Sequence, residues 1–161
     1  MAELRPSPYR ALAAELLDDL RALDAVVARF EEHTPADWSS SVPHQALAAL
    51  TAELYYTGIE TAFERVARAF EGAPPPDGAW HVTLARRMAL AIDGVRPAVL
   101  TEATLAGLDT LRRFRHFVRH AYTATLEPAR LEEVVAVLRA AHPAARAEIA
   151  AFAALVAQIE T

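Results

Sequence analysis

The chain has no cysteine, no lysine and only five glycines in 161 residues. Without cysteine there is no disulfide framework, no thiol nucleophile and no zinc-thiolate site, and a reducing cytoplasm is the natural compartment. Without lysine, and with so few glycines, neither a Walker phosphate loop nor a dinucleotide-binding fingerprint can be written. No segment approaches 18 uncharged apolar residues, and MAELRPSPYR lacks the apolar stretch of an export signal, so no membrane association is expected. Strand alternation and internal repeats are missing too. All 16 basic residues are arginine, a bias that makes any single arginine uninformative.

What the chain does have is apolar periodicity. With 53% hydrophobic residues, its length suits a single domain, residues 1–161, that buries a real core. Tyr9, Leu12, Leu16, Leu20, Leu23, Val27 and Phe30 recur at spacings of three and four, which predicts a first helix over 8–32. HTPADWSSS then reads as a loop. A second helix is expected from near Ser41 and Pro43 to Gly72, with a stripe through Leu47, Leu50, Leu54, Ile59, Phe63, Val66 and Phe70. Gly58 inside it implies close approach by a neighbouring helix. GAPPPDGA makes a stiff turn. A third helix is expected over Trp80 to Ile92, and a fourth from an N-cap at Thr101 to just beyond Tyr122. The fifth opens at Glu127 and Pro128 and bends at Pro143. The fold class is all-α, a compact bundle of about five helices joined by short loops.

The polar chemistry gathers in RFRHFVRHAY, residues 113–122. At about 100° per residue, Leu111, Phe114, Phe117, Val118 and Ala121 share one arc of the fourth helix. Arg112, Arg115, His116, Arg119 and His120 share the other. Residues 109–122 carry four arginines against Asp109, a sum of +3, which leaves −8 for the remainder of a chain of net charge −5. A basic island in an acidic protein points to a local anion site; a salt-bridged helix face is the plainer alternative. His116 and His120 are spaced to share a metal ion, but no carboxylate accompanies them and no Glu-x-x-His occurs anywhere, so no metal or other cofactor is expected. No strand-turn-helix elbow is available for a Ser-His-Asp hydrolase. What arginine and histidine suit is phosphate chemistry: guanidinium binds phosphate while keeping its charge, and imidazole exchanges a proton near neutral pH. Those are the requirements for cleaving RNA through its own 2′-OH, which DNA lacks.

An Arg-x4-His spacing by itself arises readily by chance in so arginine-rich a chain. FRHFVRHAY, however, resembles the Arg-x4-6-His motif and His-x-Tyr extension of the HEPN superfamily, and of the HepT-like ribonuclease toxins within it. The likeness continues in LYYTGIETAFERVARAFEG, in WHVTL at Trp80, in RPAVL and in LEPARLEEV, and covers roughly residues 45–140. It implies a HEPN-like helical domain, often dimeric, that cleaves RNA without metal and is paired with a minimal nucleotidyltransferase antitoxin. On this resemblance Arg115 and His120 are catalytic, with His116, Arg119 and Arg112 assisting or binding phosphate. Tyr122 corresponds to the tyrosine to which such a partner attaches AMP; a packing edge is the other reading. His81 matches a Trp-His pair but is left out of the site. His33, His44 and His142 are expected at helix ends as caps or solvated residues.

Five positions turn a regular helix by about 140°, which sets Arg115 and His120 at opposite edges of the polar arc. Either the helix distorts at Arg119, or two copies meet across a two-fold axis so that each phosphate is held by both; the homodimer is the favoured reading. Two alternatives to the nuclease remain at this level. One is a HEPN module that binds RNA or a nucleotide without cutting. The other is a helical interaction domain whose arginine face meets an acidic protein.

Overall fold

The computed structural model describes residues 7–72, 80–120 and 125–159, with His81 described by its backbone alone. The described residues form five α-helices: α1 Pro8–His33, α2 Val42–Glu71, α3 Trp80–Met88, α4 Glu102–His120 and α5 Pro128–Val156. Among the described residues there is no strand, and none of these helices is long and apolar enough to cross a membrane. The protein is an all-α bundle, as the periodicity implies.

Helix boundaries follow local chemistry. Pro8, Pro43 and Pro128 open α1, α2 and α5, where a proline's missing N–H costs nothing. Thr101 caps α4: its Oγ1 accepts from Thr104 N at 3.3 Å, and Glu148 of α5 accepts from Thr101 N and from both threonine hydroxyls. Gly72 ends α2 with φ +85°. The expected loop after α1 holds a single 3-10 turn, Trp38–Ser40, which buries Trp38 against Phe30. Helix α3 stops four residues short of Ile92 because the returning chain takes its carbonyls. Met88 O accepts from Val99 N and Leu100 N, while the Arg96 guanidinium donates to Arg87 O and Leu90 O. Gly94, φ +68°, makes the turn, and Ile92 and Arg96 exchange backbone hydrogen bonds across it.

α1 packs chiefly on α2 and α5, α4 lies against α5 and α2, and α3 covers α2 and touches α4 lightly. A continuous core runs through Leu16, Leu20, Phe30, Tyr55, Ile59, Phe63, Leu108, Leu111, Phe114, Leu138 and Ile149. Each such side chain contributes about 1.5–3 kcal/mol by leaving water. Gly58 faces Leu23 of α1: a Cβ there would lie 2.8 Å from the leucine Cδ2. The α2 stripe differs from expectation. Leu50 and Leu54 are exposed, and Ala48, Ala52, Tyr55 and Tyr56 are buried in their place, because α2 is covered by several helices and its one open arc runs through the two leucines.

Candidate functional site

The basic arc of α4 faces α2 and α3 across a cleft of about 300 Å³ lined by Glu60, Val82, Arg112, Arg115, His116, Arg119 and His120. All five residues singled out for catalysis or phosphate binding on α4 therefore meet around one cavity of one chain. The 140° separation of Arg115 and His120 does not prevent this, since the arginine lies at the floor and the histidine at the exposed mouth. Tyr122, and with it Ala121, lies outside the described residues. Leu111 and Phe114 are buried and Val118 partly so, as the helical arc requires, but Phe117 is 44% exposed. It sits at the edge of the apolar arc, beyond the reach of the neighbouring helices.

Two carboxylates of α2 complete the site, and neither is legible from the motif. Arg115 Nη1 pairs with Glu60 Oε2 at 2.8 Å, with side chains only 14% and 9% exposed. One turn on, Arg119 Nε meets Glu53 Oε1 at 3.1 Å nearer the surface. Arg112 and Arg113 both grip Asp109; burial pushes that carboxyl up, but the two guanidiniums outweigh it and hold it below the usual carboxylate range. Counting these partners, four arginines face three carboxylates and leave +1, where the sequence window alone gave +3. The face is both salt-bridged and the wall of a cleft. The sequence did carry a signal for Glu60: an acidic residue between Tyr56 and Phe63, on the packed side of an otherwise apolar helix face.

The Arg115 guanidinium lies 5.8 Å from the centre of the Tyr56 ring. Burial, and then the Glu60 charge, push the Tyr56 phenol well above its ordinary value, so it stays protonated beside the carboxylate. Arg115 Nε is buried with no hydrogen-bond partner among the described residues, an uncommon state for a buried donor. At the mouth, the His116 and His120 rings lie 4.2 Å apart, tilted by 33°. His120 Nδ1 is 2.8 Å from His116 O. A carbonyl only accepts, so Nδ1 carries the proton and the neutral ring keeps Nε2 as a free base. The site thus offers an oriented proton acceptor, a second imidazole stacked on it and guanidiniums with unspent donors.

The histidines left out of the site divide. His33 Nδ1 donates to Arg29 O in the last turn of α1, the expected cap. His142 departs from expectation: it sits in the middle of α5, half-buried, with Nε2 3.1 Å from Asp24 Oδ1 and Nδ1 3.2 Å from the Tyr55 hydroxyl. Helix α5 runs on through Pro143, so position 142 is not a helix end.

Comparison with known proteins gives a family. Neither the curated proteins nor the solved structures gave a match. A family profile described as HepT-like protein matches residues 46–156, from the first turns of α2 through α5 and including the whole cleft. With most of its length under that profile, and four arginines and two histidines gathered on one helix of an all-α bundle, the chain belongs to the HepT-like protein family.

Proposed function

We propose that the α4 cleft is the active centre of a metal-independent endoribonuclease, the toxin of a HEPN and nucleotidyltransferase pair. One observation carries the reading. His120 is fixed through Nδ1–H with Nε2 left as base, on the same cleft as Arg115 and His116. His120 Nε2 takes the proton of the substrate 2′-OH, and the 2′ oxygen attacks the adjacent phosphorus. The bond to the 5′ oxygen breaks and a 2′,3′-cyclic phosphate forms. His116, stacked on His120, is placed to return a proton to the leaving 5′ oxygen. Arg115, with Arg119 and Arg112, meets the charge that builds on phosphorus, and Glu60 holds Arg115 in place from α2.

The active form in this reading is a homodimer. A single cleft keeps a net charge of only +1 after its internal pairs, and apposed clefts across a two-fold axis would supply more. The partner is a nucleotidyltransferase antitoxin, and AMP attached to Tyr122, two residues beyond His120, would bring a negative group to these arginines and exclude RNA. Incubation of wild type and His120→Ala with mixed RNA in EDTA tests the proposal, after Tyr122 has been checked for modification by mass spectrometry. Cleavage leaving 2′,3′-cyclic phosphates, lost in the variant, is the expected result. Salt-sensitive RNA binding without cleavage would make the protein a binding module instead. No binding at all would assign the arginine face to an acidic protein partner.

A further inference from the structure

A second cavity, about 480 Å³, runs between α3 and α4 and adjoins the proposed catalytic cleft, with Val82 lining both. Its walls are aliphatic: Val82, Ala85, Leu90 and Leu105. Val82 and Leu90 stand 47% and 53% exposed, an unusual amount of open apolar surface beside so charged a site. The rim carries Arg86 and Glu102, neither of whose side chains has a hydrogen bond or ion pair among the described residues. Along α4 the cavity ends at Asp109 and the cleft begins at Arg112, a rise of about 4.5 Å at three residues.

We infer that this groove is the nucleobase subsite of the RNA strand whose phosphate occupies the cleft, a proposal that rests on the nuclease reading and names its substrate contact. The chemistry divides along α4. The cleft holds the arginines, whereas the groove carries two carboxylates, Glu102 and Asp109, against Arg86, so it repels a phosphate but accepts an uncharged ring between apolar walls. Asp109 spends both oxygens on Arg112 and Arg113. Glu102 is the acceptor left over. A carboxylate accepts from an exocyclic amino group, so the groove selects cytosine over uracil next to the cut.

The test is fluorescence anisotropy with short, uncleavable 2′-O-methyl strands: oligocytidylate, oligouridylate and an abasic strand with the same number of phosphates. Wild type should bind oligocytidylate roughly tenfold more tightly than the abasic strand, as expected for one well-seated base. Ala106→Trp, at an exposed position lining the groove away from the cleft, should abolish that advantage while leaving abasic binding unchanged. Glu102→Gln should erase the preference for cytosine over uracil. Equal binding of all three strands by wild type would overturn the subsite while leaving the phosphate site standing. Failure of every strand to bind would overturn both. Loss of dimer in light scattering of Ala106→Trp, with binding unaltered, would give the groove to a second copy and overturn the proposal.

Discussion

Two glutamates of α2 each hold an arginine largely shielded from water, and the pairs end differently. Glu71 holds Arg96, whose side chain is fully buried, and Arg87. Every donor of the Arg96 guanidinium is used: Nε and Nη2 on Glu71, Nη2 also on Arg87 O, Nη1 on Leu90 O and Pro97 O. Burial pushes Glu71 up, yet the hydrogen bonds and charges of Arg87 and Arg96 hold it below the usual carboxylate range. Glu60 is equally shielded, but its Arg115 keeps a buried Nε with no partner among the described residues and borders an open cleft. A saturated cluster locks one loop conformation and has nothing left to offer a ligand. An unsaturated one stores donors for something that is yet to arrive.

The widest split between the two regions should come from His120→Ala and Arg96→Met. His120 is exposed and outside the core, so its loss should leave stability within about 0.5 kcal/mol while lowering RNA cleavage by roughly 10²–10⁴, the usual contribution of a general base. Arg96→Met reverses the pattern. It strips Glu71 of its buried partner and frees the carbonyls that end α3, at a cost of about 3–5 kcal/mol, read as a fall in Tm of roughly 10 °C. Comparable loss of folding in both variants would erase the distinction between the clusters.

The smaller effect of Glu60→Gln sharpens the same contrast. Glutamine keeps an oxygen for Arg115 but removes the charge that competes with phosphate. Like charges about 8 Å apart in a partly screened site repel by roughly 2 kcal/mol, so binding of an uncleavable RNA should tighten, by at most about thirtyfold, while turnover of a cleavable one falls as Arg115 loses its charged anchor. Glu71→Gln should weaken folding and leave RNA affinity alone. Unchanged affinity in Glu60→Gln would mean that Arg115 meets no phosphate.

How much of this was legible beforehand depends on whether the signal was local. The buried face of α1, the Thr101 cap and the Gly58 contact are fixed by near neighbours in sequence or by the lack of a Cβ, and all could be read. The grouping of arginines and histidines on α4 was readable for the same reason. Leu50 and Leu54 misled because apolar size marks a stripe, whereas burial follows whichever face the neighbouring helices cover. The end of α3 depends on Arg96 folding back onto its carbonyls, and the charge of the cleft on Glu53 and Glu60, partners 66 and 55 positions away from their arginines. No window along one helix contains them.

The comparison extends to the histidines, where the effect is smallest and its sign can be worked out. His142 resembles Arg96 in having both nitrogens engaged, Nε2–H toward Asp24 of α1 and Nδ1 accepting from Tyr55 of α2, with Arg146 on its own helix also bound to Asp24. Burial lowers its affinity for a proton; Asp24 opposes this, and Arg146 adds to it, leaving the imidazole below its ordinary value of 6.5. The folded protein therefore binds this proton less readily than the unfolded chain. The stabilisation is full above pH 6.5 and drains as pH falls toward the folded value, by no more than about 1.4 kcal/mol per pH unit for one proton. Urea unfolding between about pH 7.5 and 5.5, above the range where Glu71 and Asp109 titrate, should show that slope in wild type and its loss in His142→Gln. A slope that persists unchanged in His142→Gln would overturn this assignment and remove the α1, α2 and α5 contact of His142 from the pH-sensitive packing.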